Sequence, residues 1–224
     1  LTAKENDSDV YLISLPVNET LLDDGYSFTY RTYENLKINV KSLTSVKDAC
    51  FSVEAVTILS DILPIKETDI FQGLSSATIE CRMSIIKKFN QTLIVDGSHN
   101  PEAISSLVKD VNNLSQDKHI RIIFSCFKDK NIENMLSSIS LLSNDLVLTS
   151  FDHPRSRKEE EYFLYLGDYQ YIEDYIDAIN KALDEVRDGI ILVCGSLAFA
   201  GRVLDDYKNN KFVFKEKENE NTQE

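Results

Sequence analysis

The residues best suited to chemistry lie in four short polar stretches. They are Asp96-Gly97-Ser98-His99-Asn100-Pro101, Ser125-Cys126-Phe127-Lys128-Asp129-Lys130, Asp152-His153-Pro154-Arg155-Ser156-Arg157 and Cys194-Gly195-Ser196. Asp96 offers a carboxylate that accepts from ribose hydroxyls or amines, and His99 an imidazole that can donate to phosphate. The pair reads equally well as a cap and turn, because Asp and Asn close turns and a histidine can fill the rim. Lys128 and Lys130 flank Asp129, and either ammonium can meet a carboxylate or phosphate; a solvated turn has the same composition. Gly195-Ser196 ahead of a helical stretch supplies amides and a hydroxyl at a positive helix end, or simply a helix start. His153-Pro154-Arg155 is weak in isolation. No G-x-S-x-G elbow and no Ser–His or Cys–His pairing marks a nucleophilic hydrolase.

The surrounding pattern says what must position these groups. Residues 92–96 are an apolar run ending in Asp96, and Pro101 suits the first turn of a helix, with Asn100 capping it. From residue 78 onward, strands alternate with helices: strands at 82–86, 92–96, 120–126, 145–150 and 189–194, and helices at 101–114, 132–142, 157–166, 172–186 and from 196 to about 204. Alternation of this kind predicts a doubly wound, mostly parallel sheet. All four polar stretches follow strands, so they fall at strand C-terminal ends, where open α/β sheets bind ligands. The first 40 residues read as β-rich, with strands at 9–15 and 26–33, a turn at Asp23-Asp24-Gly25 and residues 36–40 completing a hairpin. Helices follow over 46–62, stopped by Pro64, and over 66–74.

Composition narrows the partners. A net charge of −13 over 224 residues repels nucleic-acid phosphates and anionic lipid, so neither is expected as a partner. The four cysteines are widely spaced with no C-x-x-C pair, the pattern of reduced thiols in a cytoplasmic protein rather than a metal site. No transmembrane run or signal peptide is seen. The chain begins at Leu1 inside what reads as a continuing domain, and G-x-x-x-x-G-K-[ST] is absent. It is therefore read as the C-terminal portion of a longer protein.

Taken in order, these stretches resemble the C-terminal domain of the folylpolyglutamate synthase/dihydrofolate synthase branch of the Mur ligase superfamily. The resemblance rests on Gly73-Leu74, Cys81-Arg82-Met83-Ser84, Asp96-Gly97-Ser98-His99-Asn100-Pro101, Phe127-Lys128-Asp129-Lys130-Asn131, Pro154-Arg155 and Gly195-Ser196-Leu197, over residues 66–205. It implies an α/β fold with a Rossmann-like, mostly parallel sheet at 76–210, preceded at 1–75 by an α+β remnant of a central ATPase domain. A charged, disordered tail is expected at 211–224. The implied activity is ATP-dependent addition of L-glutamate to a folate through an acyl phosphate. Arg82 and Asp96 would contact ATP, and His99 would lie beside the phosphates and the incoming glutamate. Lys128 or Lys130, together with Ser196, would hold that glutamate. Mg2+ would be bound by ligands upstream of Leu1, and the protein would be a cytoplasmic monomer. The sequence departs from the family pattern at Cys81 (glycine there), Ser84 (glutamate) and Asp48 (an adenine-contacting asparagine). Another Mur-type amino-acid ligase, or a non-catalytic α/β module from a decayed paralogue, stays open as an alternative.

Overall fold

A computed structural model describes residues 2–115 and 118–216. The chain divides into two compact units, the first ending at Thr78 and the second starting at Ile79. The first unit contains α1 (Thr2–Glu5), β1 (Val17–Leu21), β2 (Tyr26–Tyr30), β3 (Tyr33–Ile38), α2 (Leu43–Leu59) and α3 (Glu67–Ser76). Its strands form an antiparallel sheet in the order β1-β2-β3. In β2, Tyr26, Phe28 and Tyr30 alternate inward, the period-2 burial that the sequence predicts. The strand expected at 9–15 does not form. Val10, Tyr11, Leu12 and Leu15 are all exposed, and the first strand starts only after Pro16. An apolar run without a pairing neighbour has no ladder to satisfy its backbone.

The second unit runs β4 (Ser84–Lys88), β5 (Gln91–Val95), α4 (Pro101–Ser115), β6 (His119–Phe124), α5 (Ile132–Ile139), β7 (Leu146–Ser150), α6 (Glu159–Tyr162), β8 (Gln170–Asp174), α7 (Tyr175–Glu185), β9 (Gly189–Cys194) and α8 (Leu197–Lys208). The sheet order is β4-β5-β9-β6-β7-β8. Only β4 is antiparallel, so the α/β, mostly parallel architecture is the one expected. On one face Leu93, Val95, Ile123, Ile191 and Val193 pack with α7 and α8 through Ile179, Leu183, Phe199 and Val203. The alternate residues Ile94, Ile122, Phe124 and Leu192 are just as buried and must face the other way, toward the apolar sides of α4 and α5.

The strand read at 26–33 breaks at Arg31-Thr32, where Arg31 is left-handed, and β3 starts at Tyr33 rather than at residue 36; in the second unit three further differences have a local reason. The first strand of this unit starts at Ser84, not Arg82, because Cys81 and Met83 adopt left-handed backbone, φ +61° and +45°. Residues 172–174, expected to open a helix, extend as β8. Asp174 then caps α7, its carboxylate accepting from the backbone of Ile176 (2.7 Å) and Asp177 (3.3 Å). Residues 157–166 form only the four-residue α6 and a short 3-10 turn (Phe163–Tyr165).

The tail is the largest correction. Residues 211–216, expected to be disordered, are packed, while 217–224 lie outside the described residues. Phe212 is buried in the α7/α8 core. The Val213 amide donates to Asn180 Oδ1 (2.9 Å), and the Lys215 amide to Gln91 Oε1 (2.8 Å). Gln91 is fully buried, and its amide also donates to the carbonyls of Leu183 and Val186. The charged run from Lys215 onward masked the apolar Phe212-Val213-Phe214 before it; Phe212 is buried, Phe214 packs beside it against Tyr207, and the Gln91 amide completes the anchor.

Asp206 anchors the same region, accepting from Lys211 (2.8 Å) and from the Tyr175 hydroxyl. Burial pushes its carboxyl up, but the bonds from Lys211 and Tyr175 outweigh this and hold it below the usual 3.8. A depressed carboxylate stabilises the fold fully above its unfolded value, and loses that contribution as the pH falls through the folded one. Asp206→Asn is therefore expected to lower stability at neutral pH and to flatten its acid dependence below about pH 4. Urea unfolding across the acid range checks this; a variant with the wild-type acid slope would contradict it.

Candidate functional site

The sheet order brings the four polar stretches together. β9 lies between β5 and β6, and β7 is next, so the loops after all four strands share one edge. Backbone bonds bind them: the Gly195 amide donates to the Ser98 carbonyl (2.9 Å) and the Ser125 amide to the Cys194 carbonyl (3.2 Å). Between them lies a cleft of about 210 Å³ lined by His99, Phe127, Lys130, Arg155 and the start of α8 from Gly195 to Ala198. A larger groove of about 620 Å³ in the first unit, beside Lys37 and Phe71, carries none of the predicted residues.

Each lining group has a local reason for its place. Gly195 has φ +109°, a conformation open in practice only to glycine. A Cβ there would sit 2.5 Å from the Ser125 carbonyl oxygen. Ser196 caps α8, its Oγ accepting from the Phe199 amide (3.4 Å), which leaves the hydroxyl hydrogen free to donate. The positive end of the twelve-residue α8 thus opens on the cleft. His99 Nδ1 is 2.9 Å from the Gly97 carbonyl oxygen. A carbonyl only accepts, so Nδ1 carries the hydrogen and Nε2 is the atom left for a ligand.

The cations are pre-arranged. The Arg155 guanidinium lies 4.4 Å from the centre of the Phe127 ring and is bonded to Asp129 at 2.8 Å. Lys130 Nζ lies 3.6 Å from the same carboxylate. The bond from Arg155 holds the Asp129 carboxyl below its usual value, so it stays ionised between two cations. One carboxylate against Lys130, Arg155, the Ser196 hydroxyl and the first amides of α8 leaves an excess of positive and donor groups facing the cleft, suited to a small anionic ligand. Nucleophilic sulfur chemistry is not available. Burial pushes the Cys126 thiol up to about 11 and that of the fully enclosed Cys194 well above its ordinary value.

Of the predicted residues, His99, Lys130 and Ser196 meet at the cleft; Lys128, Asp96 and Arg82 do not line it. Lys128 turns to Glu161 (3.1 Å). Asp96 is buried and spends both oxygens on its own loops: Oδ2 accepts from the Met83 amide (2.9 Å), Oδ1 from the Ser98 amide (2.8 Å) and hydroxyl (2.5 Å). Those bonds, with the Gly97 amide on the Cys81 carbonyl (2.7 Å), lock both neighbours of Arg82 to the 96–98 loop. Arg82 itself has no ion-pair or hydrogen-bond partner for its side chain among the described residues. Cys81, where the family pattern has glycine, is indeed left-handed. Sequence reasoning gave no role to Phe127 or Arg155. Their positions in the second and third polar stretches, in a sheet that joins those stretches, were the available signal.

Residues 81–197 match the family of the Mur ligase, glutamate ligase domain, which is more than half of the 224 residues. The chain belongs to this family. This Mur ligase chain is 25% identical over 192 residues to the dihydrofolate synthase/folylpolyglutamate synthase of Bacillus subtilis (strain 168), covering 81% of itself and 44% of that protein. It is 29% identical over 121 residues to the UDP-N-acetylmuramoyl-L-alanyl-D-glutamate–2,6-diaminopimelate ligase of Alkaliphilus metalliredigens, covering 49% of itself and 24% of that protein. Its fold matches a folylpolyglutamate synthase of Mycobacterium tuberculosis, solved with ADP and AMPPCP, at a TM-score of 0.82 and 17% identity, over 92% of this chain and 51% of that one. The Mur ligase chain thus spans about half or less of the length of these relatives. No helix among its described residues is long and apolar enough to cross a membrane.

Proposed function

We propose that the protein carrying this chain is an ATP-dependent ligase that adds L-glutamate to a folate, of the folylpolyglutamate/dihydrofolate synthase type. The observation that carries the reading is the convergence of His99, Lys130, Arg155 and Ser196 on one cleft at the strand ends. Glutamate brings carboxylates that need cations and an amine that must be aimed. Lys130, Arg155 and the N-terminus of α8 would hold the carboxylates. His99 Nε2, an acceptor in this tautomer, would face the attacking amine beside the phosphate of an acyl phosphate formed with ATP. The amine attacks the acyl carbon and gives up a proton to His99 Nε2, the bond from the acyl carbon to the phosphate oxygen breaks, and fixed donors stabilise the charge on the leaving phosphate. Arg82 would meet ATP from its locked loop, while Asp96 holds that loop in shape. Among the described residues no group of three or more His, Cys, Asp or Glu is placed to hold a metal ion. The Mg2+ that accompanies ATP would then be held by another part of the full-length protein.

The test is incorporation of labelled glutamate into tetrahydrofolate or dihydropteroate by the full-length protein with ATP. Transfer to either acceptor supports the reading; its absence with both, under conditions where a known synthase is active, overturns it. The 224 residues alone are expected not to hydrolyse ATP, because they contain no phosphate-cradling G-x-x-x-x-G-K-[ST] loop. Robust turnover by the isolated chain would contradict this. The similarity to a diaminopimelate ligase favours a second reading, in which a Mur-type enzyme adds another amino acid to a different acceptor. A screen of UDP-muramoyl-peptide acceptors with diaminopimelate separates the two. If neither nucleotide binding nor ligation is found in the full-length protein, a non-catalytic module remains.

A further inference from the structure

The loop that carries Lys130 into the cleft is held by a residue outside the cleft. Lys128 and Lys130 are two positions apart, yet one pairs with Glu161 and the other lines the site, so the turn between them must be fixed. Part of the fixing is main chain. Phe127 and Ser156 form an isolated antiparallel bridge, the Lys128 amide donates to the Arg155 carbonyl (2.9 Å) and the Arg157 amide to the Cys126 carbonyl (3.1 Å). The rest is the Arg157 side chain. Its Nη2 donates to the carbonyls of both Lys128 (2.9 Å) and Lys130 (3.2 Å), and its Nη1 to the carbonyl of Glu161 (3.2 Å). Among the described residues Arg157 forms no ion pair, and its Nε is buried without a hydrogen-bond partner. A guanidinium that gives its donors to three main-chain carbonyls of two segments works as a clamp on backbone shape rather than as a surface charge. Only arginine has the rigid fork for it; a lysine ammonium reaches as a single point.

We propose that Arg157 is a positioning residue that curls the 128–130 turn around its guanidinium and so aims Lys130 at the substrate carboxylate. The proposal rests on the glutamate-ligase reading for its substrate, but not for its geometry. The geometry predicts that losing the fork loosens the turn and leaves the chemical groups at His99 and Ser196 untouched. Substrate affinity should therefore fall while the chemical step does not.

Two measurements test it on Arg157→Gln and Arg157→Lys. In the 224-residue chain, amide exchange of a peptide spanning residues 126–131 should quicken at least tenfold in Arg157→Gln and by less in Arg157→Lys. Peptides from α4 and β9 should keep wild-type protection, which also shows that the variant is folded. In the full-length ligase, KM for glutamate should rise about tenfold in Arg157→Gln with kcat within threefold, and Arg157→Lys should recover part of the loss. Unchanged exchange at 126–131 would overturn the clamp. Quickened exchange with an unchanged KM would overturn the link from the turn to the substrate. A wild-type ligase that transfers no glutamate would remove the functional reading alone, and the exchange data would still decide the clamp.

Discussion

Gly195→Ala is expected to destabilise the second unit by about 3 kcal/mol or more and to disrupt the cleft. Two independent costs add. At φ +109° any L side chain is strained, by about 1–3 kcal/mol. The new methyl would also lie 2.5 Å from the Ser125 carbonyl oxygen and 2.9 Å from a carbon of the Phe124 ring. Phe124 and Ser125 are fully buried, so neither can step aside cheaply, and overpacking of this kind costs about 1–3 kcal/mol more. Any relaxation would push β9 from β6, where Cys194 is in register with Phe124, and so separate two of the loops that make the site. Gly201→Ala is the control. This glycine lies inside α8, and a Cβ added to it would meet nothing within 4 Å, so alanine should stabilise by about 0.5–1 kcal/mol. Urea unfolding followed by circular dichroism distinguishes the two. Equal effects of the two substitutions would mean that the left-handed glycine is not a structural requirement.

His99→Ala is expected to lower kcat for ligation in the full-length protein by about a hundredfold, the scale of losing a general base at the attacking amine. The unfolding midpoint should hardly move, because the ring makes a single hydrogen bond and is only partly buried. His99→Asn sharpens the test. Its amide can still donate to the Gly97 carbonyl, yet presents nothing in place of Nε2. If Nε2 is the working atom, the asparagine variant should be as slow as the alanine one. If the histidine only braces the loop, asparagine should restore most of the rate. Ligation within threefold of wild type in both variants would take His99 out of the chemistry.

The fold was legible wherever a local rule and the tertiary outcome agree. The run from residue 92 into Asp96, with Asn100 and Pro101 at the start of α4, carried its own strand end and cap, and the Ala103 amide does bond Asn100 Oδ1 (2.8 Å). Alternating apolar runs were enough for the parallel sheet, and the sheet was enough to join four loops. What stayed hidden depends on contacts between distant residues. Nothing near Lys128 and Lys130 says which turns inward; Lys128 pairs with Glu161 on a later helix while Arg157 holds the carbonyls of both lysines. Asp96 reads as a ligand-facing acid at the end of a strand, but the Met83 amide has claimed one oxygen. The strand before α7 was hidden because Ile172 and Ile176 share a helical spacing until Asp174 interrupts it. The tail was hidden because the charged run from Lys215 onward outweighed Phe212 and Phe214, whose partners on α7 and α8 are set only by the tertiary fold.

The Gln91 amide also bears on how this unit matures on the ribosome. Its side chain joins the start of β5 to the end of α7 and, through Lys215, to the last described stretch of the chain. A growing polypeptide that has emerged as far as α8, and so includes β9, can satisfy the two donors of that amide but not its acceptor, and Phe212 has yet to fill its place. Synthesis of residues 212–215 is thus the event that seals this end of the sheet, and nascent chains released earlier should be the ones that quality control removes.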